Sequence, residues 1–305
     1  MTTSSPQLGT GFAGGAIQIV VPFPPGGIDL ILKLLIPAWA RHLGADLQII
    51  NRPGGTGVVG TLEVAQARPD GKTLLFASQG PLAYQPLVAS VGYDVSTSFV
   101  PVCRVTSTPS VLMASDRNTF TCVADVVQAA RKAPGKIVYS TPGPGGLPHI
   151  GMAAFAQSLG IELQHMPMAG AAAAIEALKD SQADLIAEQL PTAMALAGKG
   201  ARIIGVFAPE RQSVLPDTPT VTEQGCNLSF QSWNLLMAPA GTPDAVLAPV
   251  RQACADAMTE VSAQLHQQMG LAPGYLGAEA TAAFIEEEMV RAKALARRSG
   301  LAPAQ

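Results

Sequence analysis

Residues 17–35 read IQIVVPFPPGGIDLILKLL. Ile17, Ile19 and Val21 are β-branched, and the PFPPGG that follows fits neither a strand nor a helix interior. Asp29 then opens an apolar helical run of Leu30, Ile31, Leu32, Leu34 and Leu35. Strand, Pro/Gly turn and helix in this order form the repeating unit of an α/β fold. The turn leaves backbone N–H groups at the positive end of a helix dipole, a seat suited to a carboxylate or phosphate. One such junction is equally well a plain structural turn, because every α/β chain has several.

Working outward, the same rhythm recurs. Candidate strands at 17–21, 47–50, 73–77, 111–114, 137–139, 163–165, 185–187, 203–206 and 235–238 alternate with candidate helices. The helices are expected at 30–42, 61–67, 123–133, 150–159, 172–179 and 191–197. This alternation predicts an α/β fold with a parallel or mixed sheet and helices on both faces. From Pro243 onward the chain reads as helical, over 245–258, 260–269 and 280–298. Arg291, Lys293, Arg297 and Arg298 suit the C-terminal dipole end of the last helix. Two extended, Pro-punctuated segments, 98–110 and 227–243, interrupt the pattern. Such a pair lets a chain leave one lobe, build a second and return, with a ligand cleft between them.

Composition narrows the classes. With 305 residues, 48% hydrophobic and 13% charged, the chain has room for two lobes and a large core. A net charge of −3 without a basic cluster argues against nucleic acid, and the short, interrupted apolar runs argue against membrane insertion. Cys103, Cys122, Cys226 and Cys254 form no CxxC, so buried thiols and a disulfide both remain open. His42, His149, His165 and His266 make no i, i+4 pair, and no metal or cofactor is expected. The opening MTTSSPQLGTGFAGGA lacks the basic and apolar regions of a signal peptide. The chain is therefore expected to be either cytoplasmic or the mature form of an exported precursor.

Three motifs bear on chemistry. Gly55-Thr-Gly-Val-Val-Gly60 matches the dinucleotide fingerprint, but NRPG intrudes before it and the next strand ends at Ser78 and Gln79 rather than an acid. A tight turn with close helix packing is the other reading of these glycines. Thr141-Pro-Gly-Pro-Gly-Gly146, followed by His149, is either a hydrolase site, with Ser140 or Thr141 as nucleophile and His149 as base, or an anion seat. The absence of GxSxG favours binding over catalysis. Glu188 ends a strand at its C-terminal side, where open α/β sheets place ligands. Glu286–Glu288 reads as a solvated helix face, and Trp39 and Trp233 as core or hinge packing. Phe23, Tyr84 and Trp233 are candidates for an aromatic ligand surface.

Six segments, taken in order, resemble the substrate-binding receptors of tripartite tricarboxylate transporters, the Bug family. They are IVVPFPPGGIDLILKLL, NRPGGTGVVG with ARPDGKTLLFAS, YSTPGPGGLPH, MAGAAAAIEALKDSQADLIAEQLP, RIIGVFAPERQSVLPDTPTVTEQG and FQSWNLLMAPAGTP, spanning residues 17–300. The resemblance implies a two-lobed periplasmic-binding fold of type II, with two crossover segments. Lobe one would comprise 1–105 and 234–305 and lobe two 106–233, closing over a small di- or tricarboxylate or an aromatic carboxylate. It further implies a monomeric periplasmic receptor that serves membrane transporter subunits, without catalysis; a sensor for a signalling partner is the other role open to it. By position, the ligand contacts would be Phe23, Pro25, Gly26, Gly27 and Asp29, then Ser78 and Gln79. Thr141, Gly143, Gly145, Gly146 and His149, then Ala169, Gly170 and Glu188, complete the expected site. The chain departs from the family pattern in having only Ile28 between PGG and Asp29, and Lys33 in place of an Arg. Gly146 also stands where a hydroxyl residue is common, and Glu188 where an Asp is usual.

Overall fold

The computed structural model describes residues 16–269 and 273–301, so the reading of the N-terminus falls almost wholly outside the described residues. The first part of the chain builds β1 (Ile17–Val21), α1 (Gly27–Leu43), β2 (Leu47–Asn51), α2 (Val58–Ala65), β3 (Thr73–Ser78) and the short α3 (Gln85–Val88). A long strand, β4 (Phe99–Ser115), leads into α4 (Val123–Lys132), β5 (Val138–Thr141), α5 (Leu147–Leu159) and β6 (Gln164–Pro167). Then come α6 (Ala171–Lys179), β7 (Leu185–Gln189), α7 (Leu190–Leu196) and β8 (Ala201–Val206). The chain ends with β9 (Gln231–Pro239), α8 (Asp244–Met269), β10 (Pro273–Leu276) and α9 (Ala278–Ser299).

The strands run in the order β2-β1-β3-β9-β4-β7-β5-β6, with β8 and β10 also paired to β4. Strands β2, β1 and β3 are parallel, as are β6, β5 and β7. Between these two parallel sets lie β9 and β4, each antiparallel to its neighbours. The two extended segments are therefore partners: β4 and β9 pair from Phe99–Pro239 to Pro109–Gln231, through two irregularities in register. Strand β4 is long enough to belong to both halves of the sheet. The helices predicted at 245–258 and 260–269 are one 26-residue helix, α8, because neither Gly nor Pro interrupts the chain at Thr259 and Glu260. Strand β10 was not expected; it is four residues long and carries Pro273 and Gly274.

The period-two alternation of the strands explains their near-continuous apolarity. Ile17, Ile19 and Val21 of β1, with Leu74 and Phe76 of β3 and Leu236 of β9, bury against α1 and α8 on one face. Val20, Leu75, Ala77, Leu235 and Met237 bury on the other. In the second half, Val111, Met113 and Ile186 face α6 and α7, whereas Leu112, Ala114, Leu185 and Ala187 join the opposite core. That core is shared by both halves, and Phe284, Ile285, Ala292 and Leu295 of α9 complete it.

Helix α9 thereby spans the two halves. Its Arg298 donates to Ser158 Oγ at 2.7 Å and to the Asn227 carbonyl at 3.0 Å. Glu286 and Glu287 are solvated as expected, but Glu288 is not. It falls on the apolar stripe of the helix with Phe284 and Ile285, and accepts from Trp233 Nε1–H at 2.9 Å and from Arg291 at 2.8 Å. Trp39 and Trp233 are both fully buried.

Candidate functional site

A cavity of about 480 Å³ opens where the strand ends of the two sheet halves meet. Its first wall grows out of the turn after β1. Gly26 N–H donates to Asp29 Oδ2, and Asp29 N–H donates back to the Gly26 carbonyl at 3.1 Å. Asn51, at the end of β2, donates to Asp29 Oδ1 at 2.9 Å and to the Phe23 carbonyl at 3.0 Å. Asp29 is thus buried and turned inward, holding the turn together. The surface left to the cavity is Phe23, Pro24, Ile28 and Ile31.

The glycines at 55–60 support this wall from behind. A Cβ on Gly57, where φ is +94°, would stand 3.2 Å from the Phe23 ring, and one on Gly60 would stand 2.7 Å from the Arg52 carbonyl. Close packing of α2 on the first turn therefore accounts for them.

The opposing wall is the turn after β5. The Thr141 hydroxyl donates to the Gly143 carbonyl at 3.0 Å, so at 2.7 Å it accepts from His165 Nε2–H. His149 Nδ1 accepts from Gly145 N–H at 3.0 Å. Thr141 and His149 therefore do not pair as nucleophile and base; each is spent on the loop. Burial, and then the neighbouring His165, hold the His149 pKa down to about 4, which keeps Nδ1 an acceptor. This wall gives Pro142, Leu147, Pro148, Ala171 and Ile175 to the cavity.

The floor comes from the crossing strands, as Ser110 of β4 with Ser232 and Asn234 of β9. Gln79 Oε1 accepts from Trp233 N–H at 3.1 Å and from the Ser232 hydroxyl at 3.2 Å. Because a backbone N–H only donates, this fixes which end of the Gln79 amide is the oxygen. The Thr106 hydroxyl donates to Asn234 Oδ1 at 2.8 Å. Glu188 stands at the end of β7, accepting from Gln189 N–H at 3.1 Å, and burial raises its pKa to about 7.

Among the sequence-named residues, Phe23, Ser78, Gln79 and Glu188 line the cavity. Pro25, Gly26, Asp29, Thr141, Gly143, Gly145, Gly146, His149, Ala169 and Gly170 belong to the surrounding turns but not to its wall, and Gly27 opens α1. Sequence reasoning missed Ser110, Ser232, Asn234, Gln189 and Thr192. Hydroxyl and amide residues inside otherwise apolar strands were the available signal for the first three. Tyr84 lines a separate cavity of about 260 Å³ with Phe207, Phe230 and Glu288, and Trp233 lines neither.

A cleft built from turns at strand ends, with amides and hydroxyls on its floor, is the kind of feature in which α/β proteins bind small molecules. The chain belongs to the tripartite tricarboxylate transporter family receptors, whose sequence profile matches residues 31–301. A UPF0065 protein of Bordetella pertussis is 30% identical over 308 residues, covering 99% of this chain and 95% of its own. The R. palustris protein Rpa4515 with adipate superposes with a TM-score of 0.87 at 27% identity, covering 96% of this chain and all of that one. The periplasmic binding protein BugD superposes with a TM-score of 0.80 at 26% identity, over 94% of this chain and 98% of its own. The fold is accordingly the two-lobed one of periplasmic solute-binding proteins. Among the described residues no helix is long and apolar enough to cross a membrane.

Proposed function

We propose that this protein is a periplasmic receptor that captures a small organic carboxylate by closing its lobes and delivers it to a transporter of the tripartite tricarboxylate type. One observation carries the reading: strand-to-helix turns from both sheet halves face one cavity, in a chain of this receptor family. Backbone and hydroxyl donors at such turns neutralise an anion without a fixed cation, so release stays easy. The adipate complex of the Rpa4515 neighbour supports a carboxylate as the cargo. In this reading residues 1–105 and 234–305 form one lobe and 106–233 the other, with α9 reaching across to α5. Pro25, Gly26, the Thr141–Gly146 turn and Gly170 approach the ligand as the lobes close. The receptor acts as a monomer and performs no catalysis.

Calorimetry and thermal shift against mono-, di- and aromatic carboxylates test the proposal. At least one carboxylate raises the melting temperature, since ligand engages only the folded state. Stabilisation by an amine or a sugar and by no carboxylate overturns it.

A further inference from the structure

The cavity wall holds one ionisable side chain among the described residues, Glu188, and neither Lys nor Arg. Phe23, Pro24, Ile28, Leu147, Pro148 and Ile175 make much of the remaining surface apolar. A second negative charge placed against an ionised Glu188 in such surroundings meets no cation to offset it, and like charges in a poorly solvated cleft repel strongly. We propose that Glu188 sets the charge class of the ligand. The group that meets Glu188 is a hydrogen-bond donor, such as an amide or a hydroxyl, and a doubly ionised diacid binds only together with one proton, carried on Glu188. The inference rests on the carboxylate-receptor reading and adds the identity of the ligand's second polar group.

Among the described residues, the elements packed against β7 bring no cation to Glu188. Strand β4 places Val111 opposite Glu188 and β5 contributes only Tyr139 as a titratable group. Helix α5 brings His149, which is engaged with Gly145 N–H. Helix α6 brings Glu176 and Lys179, which pair with each other at 2.9 Å. Helix α7 carries no ionisable residue and offers the Thr192 hydroxyl, and Asp184, ahead of β7, accepts from Val138 N–H. Burial raises the pKa of the Glu188 carboxyl to about 7, opposed by Gln189 N–H and Thr192, so its proton is available near neutrality. In the diacid complex that proton bridges Glu188 to a ligand carboxylate oxygen; above neutral pH it is taken from solvent, one per ligand bound.

Adipate and its monoamide are the probes, equal in length and differing in one ionised group. Calorimetric titration between about pH 6 and pH 8.5 is expected to show adipate affinity falling by up to about tenfold per pH unit above neutrality. The monoamide varies far less. Titration in two buffers of different ionisation enthalpy counts about one proton taken up with adipate above pH 7. Glu188→Gln, a permanently uncharged donor, removes the pH dependence for adipate and tightens its binding at high pH. Adipate affinity that stays flat with pH, no proton uptake, or a pH dependence unchanged in Glu188→Gln overturns the proposal. The two-buffer count uses the native protein and decides even where the variant does not fold. Binding of neither probe, while other carboxylates bind, also overturns it; binding of no carboxylate at all overturns the receptor reading beneath it.

Discussion

The imidazole rings of His149 and His165 stack with their centroids 3.8 Å apart and their planes within 13° of parallel, and Tyr139 stacks on His165 at 5.0 Å. Through Gly145 N–H and the Thr141 hydroxyl, this stack holds both ends of the turn that forms the second wall of the cavity. Two histidines so placed brace a loop when neutral and oppose each other when charged.

Stability should therefore respond to acid. The pKa of His149 is about 4 in the folded protein and near 6.5 when unfolded, so the unfolded chain binds the proton more readily. This contribution is complete above about pH 6.5 and is lost as the pH falls toward 4, to the extent of about 1–2 kcal/mol after solvent screening. Urea denaturation at intervals across that range should show a shallower acid loss for His149→Asn than for the native chain.

Asp29 is the keystone of the first turn. Asp29→Ala removes the acceptor of Gly26 N–H and of Asn51, and should cost about 1–2 kcal/mol, as loss of a helix cap does. Denaturant midpoints measure this, and carboxylate affinity should weaken with it because the wall carrying Phe23 loosens. Affinity lost without any loss of stability would instead mark Asp29 as a direct ligand contact.

Trp233 links the crossing strand β9 to α9. Trp233→Phe deletes the N–H that Glu288 accepts and leaves that buried carboxylate with Arg291 as its hydrogen-bond donor, at an expected cost of about 1–3 kcal/mol. The double variant Trp233→Phe with Glu288→Met should be less destabilised than the sum of its parts, since no buried charge is then stranded. Equilibrium unfolding of the four proteins in the cycle checks it.

Gly60→Ala separates the two readings of the glycine motif. Its new methyl meets the Arg52 carbonyl and Pro22, so melting should fall by an amount equivalent to about 1–3 kcal/mol. Adenine dinucleotides should stabilise neither protein.

The βαβ rhythm was legible from residues 17–35 outward because hydrophobic periodicity and Pro/Gly punctuation are local properties. The place of Glu188 in the cavity wall was legible too, through the rule that clefts of open α/β sheets form at the C-terminal ends of strands. Glu288 was misread, since three successive glutamates suggest solvent and only the Phe284–Glu288 helical spacing hints at burial. The strand β10 escaped because its pairing with Arg104 and Thr106 of β4 is a tertiary contact, whereas the unbroken α8 was readable from the lack of Gly and Pro at Thr259 and Glu260.

The sequence alone determined that this is an α/β chain with Pro/Gly strand-to-helix turns, two extended crossings and the motifs of the tripartite tricarboxylate transporter receptor family. Such features follow from backbone chemistry within a few residues. Only the tertiary structure decided which polar groups remain for a ligand. Asn51 engages Asp29, His165 takes Thr141, and Trp233 fixes the Gln79 oxygen, each partner arriving from a different strand. A donor spent on a distant neighbour is invisible in a linear chain, because hydrogen-bond satisfaction depends on distances that exist only after folding.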